Sequence, residues 1–466
     1  MLFSSIPFLY YFLPITLILY YVVPKSAKNL VLLLASLVFY GCGEPSYVLI
    51  MIGSIIVGYV SGILIEKFKK TSLKRGVLIT SLVISLGLLA YFKYANFFIE
   101  NFSKATGISV PLLKVTLPIG ISFYTFQLIS YVIDVYWGNV KAQKNFISLA
   151  TYITMFPQLI AGPIVRYSDV KKQLKVRTYD FTKISYGIRR FVMGLSKKIL
   201  IANVLGEFCS IFSASNEKSI LFYWAYAVAI SLHIYFDFSG YSDMAIGLGS
   251  LLGFSFPENF NYPFISRSAS EFWRRWHMSL GTWFMDYVYI PLGGSRKGPY
   301  RLLINIFVVW LLTGFWHGAE WTFVVWGLYF AILLIIEKTF LLKILDKNKV
   351  VGHIYLIFVI IFSFVIFDAA TLNDAVFHIG KMFGAGDIGL ISDSAIYYIK
   401  SFGVVILLAI IGATPLPKKL VMRIKDTSYG SKILTVLEPI AMIILLLLCT
   451  GYLVDGSFNP FLYFRF

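Results

Sequence analysis

The sequence predicts an all-α, polytopic membrane protein, and three observations carry that prediction. Of its 466 residues, 58% are hydrophobic, 18% aromatic and 14% charged, against about 25% charged in an average soluble domain. Apolar runs of about 15 to 22 residues recur from one end to the other, each near the length that crosses a hydrocarbon core of about 30 Å. The basic residues, which give a net charge of +18, cluster in short segments between those runs. There they report orientation across a bilayer; anionic membrane lipid and an anionic cytosolic substrate remain as expected partners, and nucleic acid does not. No stretch between the runs could fold as a sizeable soluble domain, so residues 1–466 read as a single integral membrane domain.

Taken in order, the first run, 6–23, follows Met1-Leu-Phe-Ser-Ser. That lead lacks the basic segment of a cleavable signal, no small-x-small site follows, and the run reads as a retained first helix. Lys25 and Lys28 after it, and Lys67, Lys69, Lys70, Lys74 and Arg75 after the third run, mark the cytoplasmic side. The N-terminus is therefore expected outside. Further spans are expected at 29–40, 47–65, 77–91, 119–137, 199–212 and 220–236, then at 302–316, 321–336, 354–367, 402–412 and 433–452. About eleven to twelve crossings result.

Residues 149–164 are apolar but broken by Pro157, Gly162 and Pro163, with Lys141, Lys144, Arg166, Lys171 and Lys172 on either side. A segment that enters and leaves by the cytoplasmic face is expected, its unpaired backbone covered by protein or lining a cavity. The basic stretch 166–198 suits an amphipathic segment at the cytoplasmic interface. The loop 369–393, with Asp374, Asp387 and Asp393, should face outward. Cys42, Cys209 and Cys449 share no metal-ligand or redox spacing, and no metal site is expected. The sequence contains no GxxxxGK[ST], HExxH or GxSxG pattern, which removes ATPase, zinc-protease and serine-hydrolase readings.

The sharpest local feature is Thr313-Gly-Phe-Trp-His317-Gly-Ala-Glu-Trp321, an ionisable cluster between two apolar runs. Polar groups at such depth are costly and tend to be functional. Gly314 and Gly318 permit close backbone approach or a helix break, so that the imidazole of His317 can point into a cavity. Spacing leaves two readings open, a histidine that joins two helices and a histidine that performs chemistry. A second cluster, Glu271-Phe-Trp-Arg-Arg-Trp-His277-Met-Ser-Leu280, continues through Trp283, Asp286 and Tyr289. Its tryptophans and basic residues predict an interfacial helix, while His277 among aromatics should be neutral. His233 and Asp237, four apart on a helical run, are placed to hydrogen-bond each other as a structural pair. His353 and His378 have no polar constellation around them in the sequence.

The chain also carries Pro118-Ile-Gly-Ile-Ser-Phe-Tyr-Thr-Phe-Gln127, Phe156-Pro-Gln-Leu-Ile-Ala-Gly-Pro-Ile164, Asp237-Phe-Ser-Gly-Tyr-Ser-Asp-Met244 and Pro257-Glu-Asn-Phe-Asn-Tyr-Pro263. With the Glu271 to Leu280 run, Tyr289-Ile-Pro-Leu-Gly-Gly-Ser-Arg296 and Phe315-Trp-His-Gly-Ala-Glu-Trp-Thr322, this ordered set resembles the membrane-bound O-acyltransferases (MBOAT), in the branch of the alginate O-acetyltransferase membrane subunit. The resemblance covers most of the chain. Met285 and Phe330 depart from it, standing where relatives often carry a basic residue and where some carry a further histidine.

The resemblance implies a ring of transmembrane helices around a thin centre, where a cytoplasmic and an outward funnel meet at a catalytic histidine. His317 occupies that position, and His277 the family's second polar position. It implies acetyl-CoA as a cytosolic acyl donor, not a tightly bound cofactor. Arg274, Arg275 and Arg296 are expected to attract its phosphates, and Trp276 and Ser279 to complete its binding site. His317 would take a proton from the attacking hydroxyl, and His277 would position the thioester or stabilise its oxyanion. The acceptor would be an extracytoplasmic polysaccharide, alginate-like or of the cell wall, reached through an SGNH-type partner, with the protein in a bacterial cytoplasmic (inner) membrane. D-alanyl transfer to teichoic acid, a transporter or flippase of acyl or glycan precursors, and a structural subunit of a polysaccharide synthase are the other readings.

Overall fold

The computed structural model describes residues 1–456, and every regular element among them is a helix. Among the described residues, seven helices are long and apolar enough to cross a bilayer: Pro45–Lys67, Thr71–Thr106, Ile220–Leu251, Pro299–His317, Lys349–Asp368, Asp393–Gly412 and Ser428–Val454. Phe8–Val22 and Lys28–Gly41 are shorter apolar helices, as is Ile121–Trp137. The larger number of crossings expected from sequence counted such short segments as spans. The chain forms two compact units, Met1–Phe191 with Met244–Pro257, and Val192–Asp243 with Glu258 onward.

In the first unit, the Thr71–Thr106 helix extends well past the expected 77–91. A helix satisfies its own backbone in lipid and in water alike, so the polar residues at its ends do not stop it. It stops at Gly107, whose φ of 73° closes a left-handed cap. The segment around 149–164 is broken as its prolines and glycine predict, into Phe146–Thr154 and Phe156–Leu159 with Met155 between. The second piece and residues 149–154 of the first are buried, and a protein group meets the freed backbone: the Phe156 N–H donates to Ser36 Oγ at 3.1 Å. Gly120, at φ 75°, lies against this break, where a Cβ would come 2.6 Å from the Leu159 carbonyl oxygen.

The basic stretch 166–198 contains two helices, Tyr167–Lys175 and Phe181–Ser196. The second is not simply a surface element. A Cβ at Gly247 would lie 2.7 Å from the Gly187 carbonyl oxygen, and Phe191 is buried. Lys198 departs furthest from the interfacial expectation: it is 1% exposed and its Nζ sits 2.5 Å from Asp237 Oδ1.

That ion pair corrects the expected His233–Asp237 hydrogen bond, since neither ring nitrogen of His233 has a hydrogen-bond partner. A full charge on Lys198 attracts a carboxylate more strongly than a neutral imidazole does, and Lys197 takes Asp243 in the same way at 2.7 Å. The helix carrying these carboxylates, Ile220–Leu251, continues past residue 236, where a span was expected to end. Its Gly240 faces the backbone of Gly194, whose oxygen would be 2.8 Å from an added Cβ. Tight packing thus holds helical a stretch whose serines and glycine favour a turn.

Candidate active site

The site grows from a helix pair joined backbone to backbone. A Cβ at Gly314, on Pro299–His317, would strike the Phe323 carbonyl oxygen, and one at Gly327, on Trp321–Ile336, would lie 2.5 Å from that of Trp310. Glycine alone permits that approach. His317 is the last residue of the first helix, and Gly318 follows in extended conformation. The imidazole is buried among rings, with centroids 4.9 Å from Trp316, 5.1 Å from Trp326 and 5.3 Å from Phe367.

His277 approaches from a different element. The expected interfacial helix over 271–289 is instead broken into Ala269–Trp273 and Met278–Phe284, followed by a π-helical turn at Met285–Tyr289. Glu337, itself buried, fixes the first piece by accepting from the backbone N–H groups of Ala269 at 2.6 Å and Ser270 at 2.8 Å. At the break His277 adopts φ 44° and ψ 50°, a left-handed conformation that costs a residue with a Cβ about 1–2 kcal/mol. Strain of this kind is held only where the surroundings over-determine it, commonly at functional sites.

The tryptophans of this stretch also depart from expectation. Trp276 and Trp283 are buried and Trp273 is half-buried, so they do not form an aromatic belt. Trp276 stacks on Phe272 at 5.3 Å and meets Phe260 at 5.1 Å and Phe364 at 5.3 Å. Ring surface that could have faced lipid faces other rings instead.

The ring of His277 lies 4.7 Å from Phe238 and 6.0 Å from Trp316. Its Nδ1 is 3.1 Å from Asn259 Oδ1, which also accepts from the Ser279 N–H at 3.2 Å and the Ser279 hydroxyl at 2.9 Å. An oxygen that takes a backbone N–H is an acceptor, so His277 Nδ1 carries the proton and donates. Burial lowers the pKa of this histidine to about 3, so the ring is neutral at physiological pH and Nε2 is its acceptor nitrogen. Trp316 has ring contacts with both imidazoles, which puts His317 and His277 in one aromatic cluster.

The residues expected to hold the donor are more scattered. Arg274 is exposed. Arg275 pairs with Glu271 at 3.0 Å and donates to the Asn261 carbonyl at 3.3 Å. Burial raises the Glu271 pKa, but the Arg267 N–H and Arg275 outweigh it and hold the carboxyl below its ordinary value. Ser279 is committed to Asn259, and Trp276 to its ring stack. Arg296 precedes the Pro299–His317 helix, whose axis is about 27 Å long at 1.5 Å per residue, and so lies toward the end opposite His317. It cannot share contacts with the reacting atoms.

Among the other histidines, His353 Nδ1 meets the Ser266 carbonyl at 3.0 Å. His378 packs against Phe212, Tyr223 and Tyr226, with its pKa lowered by burial and by Lys218. Sequence reasoning missed Asn259, although it lies inside the Pro257 to Pro263 motif. The only available signal was that a buried histidine needs an acceptor to fix its tautomer.

A family profile for the membrane-bound O-acyltransferases matches residues 140–373, and the chain belongs to that family. It is an O-acyltransferase and a multi-pass membrane protein. It is 38% identical to a Pseudomonas putida protein named "Probable alginate O-acetylase AlgI" over 100% of both chains. It is 35% identical to the peptidoglycan O-acetyltransferase of Helicobacter pylori over 73% of this chain and 71% of that one. A third relative, the teichoic acid D-alanyltransferase of Bacillus subtilis, is 33% identical over 46% of this chain and 58% of its own length.

Proposed function

We propose that this protein moves an acetyl group from cytosolic acetyl-CoA to a hydroxyl on the outer side of a bacterial cytoplasmic membrane, where it modifies a polysaccharide. The observation that carries the reading is the buried His317 at the break between two helices, with His277 also in ring contact with Trp316. The alginate-type relative matches over the whole chain and the D-alanyl relative over less than half, which favours acetyl over D-alanyl transfer. An SGNH-type extracytoplasmic partner would carry the acetyl group onward to an alginate-like or cell-wall acceptor.

In this reading His317 removes the proton of the acceptor hydroxyl as its oxygen attacks the thioester carbonyl. The tetrahedral intermediate collapses, the C–S bond breaks, and His317 returns the proton to the departing thiolate. A positioned base of this kind contributes typically about 10² to 10⁴-fold. His277, donating through Nδ1 to Asn259, presents Nε2 as an acceptor, which suits holding an N–H or O–H of a substrate and not an oxyanion. Arg274 and Arg296, both exposed, supply positive charge for the donor phosphates.

His317→Ala, inserted normally in the membrane, should abolish polysaccharide O-acetylation in cells lacking their own copy. Acetylation at the wild-type rate would show that His317 is not the base. Release of coenzyme A by the purified protein separates transfer from transport, since a flippase leaves the thioester intact.

A further inference from the structure

Trp326 is 1% exposed, and its indole Nε1 has no hydrogen-bond partner. An indole N–H is a donor only, and a buried donor without an acceptor bears its full desolvation cost. The surrounding rings of Trp273, Trp310, Phe330 and Phe367 offer stacking and edge contacts. None of these contacts requires an N–H, and a phenyl ring would make them as well.

The position is a fixed one. Trp326 precedes Gly327, whose backbone is in contact with Gly314, and His317 lies three residues beyond Gly314. The glycine contact thus sets the Trp326 ring 5.1 Å from the His317 ring, at an interplanar angle of 81°. Trp273 Nε1 also lacks a partner, but its ring packs on Trp310, Trp326 and Phe330.

Attack of a hydroxyl on a thioester places negative charge on the carbonyl oxygen, and a preorganised donor aimed at that oxygen is among the largest catalytic terms available. His277 does not supply it, because its one proton is held by Asn259. We infer that the indole N–H of Trp326 donates a hydrogen bond to the carbonyl oxygen of the acyl thioester and keeps it through the tetrahedral intermediate. The inference rests on the reading of His317 as the base. While His317 takes the hydroxyl proton, the carbonyl π electrons move onto the oxygen facing Trp326. They return as the C–S bond breaks, and the thiolate takes the proton from His317.

The test compares W326F, W273F and H317A in cells deleted for their own copy. It reads the rate of polysaccharide O-acetylation per unit of membrane-inserted protein, together with acetyl-CoA affinity and melting temperature of each purified full-length variant. W326F should lower the rate about 10²- to 10³-fold, with acetyl-CoA affinity within about two-fold and melting unchanged or higher, because an unsatisfied donor has been removed. W273F, which deletes an N–H from the same ring cluster without touching His317, should stay within a few-fold of wild type. Should phenylalanine pack poorly, benzothienylalanine at position 326 keeps the indole shape and replaces N–H by sulfur. A W326F or benzothienylalanine protein that acetylates within three-fold of wild type overturns the inference. If H317A is active as well, the reading of His317 has failed; if H317A is dead, the Trp326 assignment alone has failed.

Discussion

His277 combines two properties that separate experiments resolve. Its left-handed backbone, at φ 44°, makes glycine the natural comparison. H277G should melt higher than H277A by about 1 kcal/mol of stability, the approximate cost of a Cβ in that region; equal melting would mean that the break relaxes once the imidazole is gone. The imidazole also titrates with a defined sign. Its folded pKa is lowered to about 3 while the unfolded chain titrates near 6.5, so the unfolded state binds the extra proton between those values. Stability from the neutral ring is therefore complete above about pH 6.5 and lost as pH falls toward 3. H277Q should flatten that acid limb in a melting series. Asn259 fixes the tautomer, so N259A and H277A should each impair transfer, and their double variant should be no worse than the more damaged single one.

Elements impose a different constraint, because here the helices are held by backbone contact and by buried charge. Gly314→Ala introduces a Cβ where the Phe323 carbonyl oxygen stands, and the overpacking should cost about 1–3 kcal/mol. It should also lower O-acetylation, because His317 and Trp326 are positioned through that contact. The Lys198–Asp237 pair, with both side chains 2% exposed, behaves as buried pairs do. D237N strands a buried ammonium and should cost about 3–5 kcal/mol, whereas replacing both partners by apolar residues of similar volume should recover much of the loss. Thermal melting in one detergent reads all three proteins. If D237N melts like wild type, water reaches the pair.

For the molecule as a whole, the alternation of basic and acidic connections defines an orientation that labelling can test. The helix Leu416–Lys425 carries Lys418, Lys419, Arg423 and Lys425 between two apolar spans, and the positive-inside rule puts it in the cytoplasm. Residues 383–392 should lie outside. Single cysteines at positions 419 and 386, in a protein freed of its exposed Cys42, should react with an impermeant maleimide only after lysis and directly on intact spheroplasts, respectively. The reverse pattern would invert the proposed donor and acceptor sides.

The sequence by itself determined the all-helical membrane class, the place of most apolar helices and the broken segment near Pro157. Each depends on hydrophobicity, charge or backbone permissiveness, which are local in the chain. Tertiary structure alone decided what those residues face. The tryptophans near residue 276 point into protein because rings from distant segments meet them, and Lys198 leaves the interface because Asp237, 39 positions later, offers a stronger partner than water. Asn259 and Trp326 became visible only through the hydrogen bonds that one makes and the other lacks. Local chemistry selects which residues enter a membrane, but pairing among buried polar groups is settled by proximity in space, and spacing along the chain does not encode it.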